Sequence, residues 1–93
     1  MLQSKHLLLD NVSGTVEGAD YEVSPRGARV VIVHGTTVGT VEIQVKTSLG
    51  TYVSIDDGIF NVAKAKLMGG IVSGMTIRAK VTSGTNVTVE ISE

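Results

Sequence analysis

The chain has 93 residues, of which 42% are hydrophobic and 18% are charged, and its eight basic and nine acidic side chains leave a net charge of −1. A chain of this length forms one domain with a thin core, so we predict a single domain over residues 1–93. The near-neutral charge argues against a nucleic-acid or anionic-membrane partner, and the absence of cysteine excludes disulfides and thiolate chemistry. No apolar run reaches the roughly 20 residues of a membrane helix, and the first ten residues are too few and too polar for a secretory signal.

The composition favours an all-β fold. Valine, isoleucine and threonine together make up about a third of the chain, and 11 glycines punctuate it. Branched β-carbons fit a pleated strand and lose rotamer freedom in a helix. Short strands separated by regular turn signals are typical of a sandwich or a barrel. We therefore predict one antiparallel β-sandwich, of jelly-roll or immunoglobulin-like type, with seven to nine short strands.

Alternating apolar and polar residues place most of these strands. In residues 39–46, 75–82 and 86–92 every second residue is apolar, as in strands with one face in the core. We expect turns at residues 47–50, at 56–58 and at 83–85, where a hairpin would bring Arg78 and Lys80 opposite Glu90. The glycine-rich segment 67–74 fits either a bulged strand or a loop. Further strands are expected at residues 1–10, 11–19, 21–23, 28–34, 51–56 and 59–66. In the strand at residues 51–56, we expect Val53 and Ile55 to face inward.

Candidate catalytic groups are few. The histidines, His6 and His34, each lie in or beside an aliphatic strand, where a strand-end histidine is the simpler interpretation. No nucleophile-elbow motif is present, and serines such as Ser13 and Ser73 stand beside glycines in turns. We expect no catalytic residue, and hence no enzyme.

Ligand-binding motifs are equally sparse. Adjacent residues Asp56 and Asp57 fit a turn better than a calcium loop, because no regular series of oxygen ligands surrounds them. The glycines of segment 69–74 lack the lysine and following helix of a phosphate-binding loop. Three aromatic residues are too few for a nucleic-acid groove, and they weaken a carbohydrate site. We predict no metal and no cofactor.

Two segments are apolar on both of their faces. Residues 7–9 read Leu-Leu-Leu and residues 30–33 read Val-Val-Ile-Val, whereas a strand of a two-layer sandwich needs only one buried face. These strands either lie centrally beneath loops or bury their second face against another subunit. We predict that Leu7, Leu9, Val31 and Val33 are buried either between subunits or in the core, with the opposite faces of the same strands in the other role. The assigned interface residues are Leu7, Leu8, Leu9, Val31 and Val33.

Two further stretches carry a resemblance to a known group of proteins. Residues 39–58 (GTVEIQVKTSLGTYVSIDDG) resemble a strand–turn–strand unit of small virion proteins of tailed bacteriophages, with Gln44, Gly50, Tyr52 and Ile55 at matching places. Residues 74–91 (GMTIRAKVTSGTNVTVEI) are similar to the closing hairpin of those proteins. Matching residues in that hairpin are Ile77, Arg78, Ala79, Gly84, Val87 and Val89. Tyr52 stands where tryptophan is common in that family, and the resemblance covers only the C-terminal half of the chain.

The resemblance implies a structural component of a phage particle: a capsid decoration (cement) protein, a head-fibre module or a tail piece. The resemblance implies that the protein acts by surface adhesion, usually as a trimer. It implies no catalytic residues in this sequence. We expect a homo-oligomer, with a trimer favoured, that contacts the major capsid protein or another virion protein on the capsid surface after synthesis in the host cytoplasm. The alternative function is a glycan-binding or host-adhesion module of a fibre or tail, with Tyr21, Tyr52, Asp56 and Asp57 lining its site.

Overall fold

The computed structural model describes residues 5–24 and 29–92. Positions 1–4 of the first predicted strand, position 28 of the predicted strand 28–34, and position 93 lie outside the described residues. The described residues form seven strands, all antiparallel where they pair: β1 Lys5–Glu17, β2 Tyr21–Glu22, β3 Val30–His34, β4 Thr40–Lys46, β5 Tyr52–Phe60, β6 Lys64–Leu67 and β7 Thr76–Ser92. The all-β prediction is therefore confirmed.

The last strand, β7, organises the sheet. On one edge its first half pairs with β4 and its second half with β3, while β1 and β2 pair along the other edge. The hydrogen-bonded order is β5-β4-β7-β3-β6. This is one curled sheet that forms half of a barrel, whereas the prediction was a sandwich of two separate layers.

Long bent strands explain that difference. The predicted hairpin at residues 83–85 is wrong, because β7 runs through this segment and changes direction there. Ser83 and Asn86 have φ angles of 57° and 53°, and β1 has positive φ angles at Asn11 (51°) and at Gly14 (88°), which pairs with Gly84. Polar side chains bond the backbone at the bend; for example, the Asn86 amide donates to Ser13 Oγ at 3.0 Å. Residues typical of turns therefore form bulges inside paired strands.

The same error affects the fifth strand. Residues 56–58 were predicted as a turn, yet β5 continues from Tyr52 to Phe60. Asp57 has a φ of 62°, and the pairing register with β4 shifts between Glu42 and Gln44. The turn at residues 47–50 is confirmed, with the Gly50 amide donating to the Thr47 carbonyl at 2.9 Å.

The inner face of the curled sheet holds the core. The inward alternation predicted for residues 75–82 and 86–92 is confirmed by fully buried apolar residues in β7, although Met75 is only half-buried. Val53 was predicted to face the core but is 50% exposed, because it lies near the turn end of β5. Segment 67–74 is loop after Leu67, and Met68 and Ile71 of that loop close over the core. The largest fully buried side chains among the described residues are Phe60, Ile43, Ile71, Ile77, Ile91, Val23, Val31, Val33, Val41, Val81, Val87 and Val89.

Contacts at the rim hold the two halves of the curl together. The rings of His6 and Tyr21 stack with centroids 4.1 Å apart, and each residue pairs with a buried isoleucine of β7. On the other side of the curl, Lys64 Nζ lies 5.6 Å from the centroid of the Phe60 ring. Lys66 Nζ donates to the Asp57 carbonyl at 2.9 Å. Lysines of β6 therefore cover the seam between β6 and β5 that no backbone ladder closes.

Candidate interaction surfaces

The predicted interface residues fall into two groups. Leu8, Leu9, Val31 and Val33 are buried within a single copy, with at most 4% of each exposed. They belong to the core and have no surface left to offer a neighbour, so the interface assignment is corrected for these four. Leu7 is 45% exposed and points outward.

A bulge explains why Leu7 differs from the two residues after it. Leu7 pairs with Glu90 and Leu9 with Val89, so the register shifts by one residue between them. The extra residue, Leu8, and its neighbour Leu9 are both buried. A bulge of this kind re-aims side chains in a strand.

An apolar patch covers the outer side of β1, β3 and β6, and we call it the apolar outer face. One register row runs Leu7–Glu90–Ile32–Ala65, and the adjacent row runs Lys5–Ser92–Val30–Leu67. Neighbours in the same row share a face of the sheet. The apolar outer face consists of Leu7, Val30, Ile32, Ala65 and Leu67.

These five residues keep part of their surface open. Leu67 is 65% exposed, Ala65 is exposed, and Val30 and Ile32 are half-buried. The two-faced run at residues 30–33 therefore divides, with Val31 and Val33 in the core and their neighbours outside. Sequence reasoning missed Ala65 and Leu67, because the alternation Lys-Ala-Lys-Leu is typical of a strand whose lysines face solvent.

Few charges interrupt the apolar outer face. Glu90 lies between Leu7 and Ile32, and its Oε2 is 3.2 Å from Nε2 of His34. The predicted pairing of Arg78 and Lys80 with Glu90 is wrong, because the expected hairpin does not form. Lys5 stands at the β1 edge of the second row. Among the described residues of these two rows, Lys5 and Glu90 are the charged ones, and His34 lies in the next row.

The outer side of β4, β5 and the first half of β7 is different, and we call it the charged outer face. Arg78 is central: its guanidinium lies 3.5 Å from the centroid of the Tyr52 ring. Its Nε donates to Gln44 Oε1 at 2.8 Å, and its Nη2 donates to Glu17 Oε2 at 3.2 Å. Ser54 also donates to Glu42 on this face. Described charged residues here are Glu17, Asp20, Glu22, Glu42, Lys46, Arg78 and Lys80.

Tyr52 and Asp20 complete this network. The tyrosine hydroxyl donates to Asp20 Oδ1 at 2.6 Å, and Lys46 Nζ donates to Asp20 Oδ2 at 3.3 Å. The hydrogen bond from Tyr52, followed by that from Lys46, lowers the pKa of Asp20. The hydrogen bond to Asp20 raises the pKa of Tyr52, because the bond needs the phenol proton.

The residues of the predicted glycan site do not converge. Tyr21 pairs with the buried Ile77 and so shares the inner side of the sheet, where it packs against the core. Tyr52 pairs with Lys46 on the charged outer face and is held by Arg78. Asp56 and Asp57 lie exposed at the bulge of β5, where Asp57 contacts Lys66.

Within the described ranges, the other titratable groups form no metal site. No three histidine, aspartate or glutamate side chains of residues 5–24 and 29–92 come together to hold an ion. His6 stacks on Tyr21 and His34 contacts Glu90, as described above. Nor do these residues form any helix with the length and apolar character needed to cross a bilayer.

The described edge strands β1, β5 and β6 each carry a feature that hinders strand addition. The four-residue β6 carries two lysines, the β5 edge is interrupted by the bulge at Asp57, and the β1 edge has four register shifts. Short, charged or bulged strands are how proteins prevent edge-to-edge pairing. The faces of the sheet are therefore better suited to association than its edges.

Comparison with known proteins shows a similarity of fold and no similarity of sequence. No protein-family model and no curated protein matches the sequence. The crystal structure of the SPBc2 prophage-derived protein YomS is similar in fold, with a TM-score of 0.65 at 13% identity. The match covers 97% of this chain and 90% of that chain.

Proposed function

We propose that the protein is a non-enzymatic structural component of a phage particle. The observation that carries this proposal is the fold likeness to a prophage-derived protein, which extends over nearly the whole of both chains. The resemblance of residues 39–58 to a strand–turn–strand unit of small virion proteins supports the same setting, because β4, the turn and β5 form there. The likeness of residues 74–91 to a closing hairpin gives no such support, because β7 runs through this segment as one strand. In this role the chain acts by adhesion through its surface.

The two outer faces support a role in adhesion. Aliphatic side chains stay exposed on one side, while the other side carries a network of charges. Burying apolar surface contributes roughly 25 cal/mol per Å² of area removed from water. Contiguous exposed apolar patches mark sites of protein association.

Capsid decoration is the specific role that we favour. The protein would bind the major capsid protein or a neighbouring virion protein and reinforce the head, as a homo-oligomer for which the resemblance favours a trimer. Its site of action is then the capsid surface, after synthesis in the host cytoplasm. No metal, cofactor or nucleic acid takes part in this mechanism.

Particle composition tests the proposal. Particles of the phage that encodes this chain are purified through a density gradient and analysed by mass spectrometry, with immunogold labelling to separate head from tail. We expect the chain at a fixed copy number on the head, and we expect particles without the gene to release their DNA at a lower temperature. Absence of the chain from purified particles would contradict a structural role. Labelling of the tail would exclude capsid decoration but not a structural role.

A further inference from the structure

We propose that the apolar outer face is the surface through which one copy of the chain binds another. This inference depends on the proposed function, in which self-association is one part, and adds the residues and the occupant. The face is defined by Leu7, Val30, Ile32, Ala65 and Leu67, which occupy two adjacent register rows.

The size of the molecule fits such an interface. Its principal extents are 36 × 32 × 20 Å, so a broad side of the molecule is large enough to hold an interface of ordinary size. A stable interface of ordinary size buries roughly 800 Å² on each partner. The five apolar residues supply the dry centre of an interface, and the residues around them supply its polar rim.

The charges of the face favour another copy as the occupant. The chain has a net charge of −1, so copies do not repel each other strongly. Glu90 has its own partner in His34, and a paired charge can be buried at lower cost than an isolated one. A strongly acidic or strongly basic partner would find no matching excess of charge here.

The alternatives within the molecule are less suitable for the same role. Burying the charged outer face would remove seven ionised groups from water, including the pair Arg78 and Glu17. Strand addition is hindered at β1, β5 and β6 by the bulges and lysines described above. Of the two outer faces, the apolar outer face has fewer charged side chains among the described residues.

Two matched lysine substitutions test the inference. Leu67→Lys puts a charge on the apolar outer face at a position that is 65% exposed. Ile59→Lys is the control, because Ile59 is 51% exposed and pairs with Glu42 on the charged outer face. Both positions are open to solvent in a single copy, so we expect both variants to fold, which circular dichroism checks.

The readout is the mass in solution by light scattering at about 10 to 100 µM, above the micromolar dissociation constants of weak interfaces. For the unchanged protein and for Ile59→Lys we expect a multiple of the 9.7 kDa chain mass. For Leu67→Lys we expect the dissociation constant to rise at least about tenfold, because an unpaired charge is buried. Leu67→Ala, which removes apolar area without adding charge, should weaken association less.

The opposite results would overturn the inference. A monomer over the whole concentration range excludes self-association, and an unchanged mass for folded Leu67→Lys excludes this face. A monomer that is nevertheless found in purified particles would refute this inference alone. Absence from particles together with self-association would refute the proposed function instead.

Discussion

The Tyr52 hydroxyl donates a 2.6 Å hydrogen bond to Asp20, although these residues are separated in the sheet by β4 and β7. The ring packs on the guanidinium of Arg78 in β7, and its hydroxyl meets Asp20 in the connection between β1 and β2. One side chain therefore ties the β4–β5 hairpin to the connection between β1 and β2. The charged outer face is linked by hydrogen bonds and ion pairs, which distinguishes it from the apolar outer face.

The Tyr52–Asp20 hydrogen bond predicts that the stability of the protein decreases at low pH, which we call the acid limit, and at high pH, which we call the alkaline limit. The hydrogen bond from Tyr52 lowers the pKa of Asp20 from 3.8. The stabilisation by the Asp20 carboxylate is therefore complete above pH 3.8, and it is lost as the pH falls through the lower pKa of the folded state. The pKa of Tyr52 is raised from 10.0, so its contribution is complete below 10.0 and is lost as pH rises through the higher folded pKa. Urea unfolding from pH 2 to 11 measures both limits, and equal stability of wild type and Asp20→Asn at every pH would contradict the acid limit.

Two substitutions of Tyr52 separate its hydroxyl from its ring. Tyr52→Phe keeps the ring over Arg78 and removes the donor to Asp20, so we expect a small decrease in melting temperature and loss of the alkaline limit. Tyr52→Ala also removes the stack on Arg78, so a larger decrease is expected. Thermal unfolding at pH 7 measures both effects. Identical melting temperatures for the two variants would show that the ring contributes nothing.

Two isoleucines of the same sheet should respond differently to the loss of one methyl group. Ile91 in β7 is fully buried, and Ile91→Val should lower the free energy of unfolding by about 0.5–1.5 kcal/mol. Ile32 in β3 is half-buried on the apolar outer face, so Ile32→Val should change the free energy of a single copy by less than about 0.5 kcal/mol. Urea unfolding at a concentration low enough to keep copies apart measures both. A greater loss at Ile32 would refute the assignment of faces in β3.

Gly39 occupies a position that other residues cannot take without strain. Its φ is +64°, and a Cβ added there would collide with the carbonyl oxygens of Thr82 and Ser83. Gly39→Ala should therefore cost at least about 1–2 kcal/mol of unfolding free energy. Gly69→Ala is the control, because nothing lies within 4 Å of an added Cβ, and we expect it to stay within about 0.5 kcal/mol of wild type. Chemical denaturation measures the free energy of unfolding of both variants. Equal values for Gly39→Ala and Gly69→Ala would contradict the close packing at Gly39.

The alternation of single strands was predictable from the sequence, but the path of the sheet was not. Val87, Val89 and Ile91 face the core as expected, because a strand with one buried face shows its period directly. The segments around Ser83 and Asp57 were predicted as turns, since small polar residues with positive φ serve both turns and bulges. Long-range pairing with β1 and β4 determines whether such a segment forms a turn or a bulge.

The apolar outer face was predictable from the sequence only in part. The leucine triplet and the valine-rich strand both contribute to it, through Leu7, Val30 and Ile32. A one-residue bulge decides which leucine points outward, and such a shift reverses the faces of a strand. The lysines of β6 face the seam with β5, so Ala65 and Leu67 are left on the outside, where a polarity pattern alone would place the lysines.

The central claim is that copies of the chain bind each other through the apolar outer face. Amide chemical shifts recorded by NMR over a dilution series test it most directly. We expect concentration-dependent shifts at Leu7, Val30, Ile32, Ala65 and Leu67, and constant shifts on the charged outer face around Tyr52 and Arg78. Shifts that do not change with concentration, or that change only on the charged outer face, would contradict the claim.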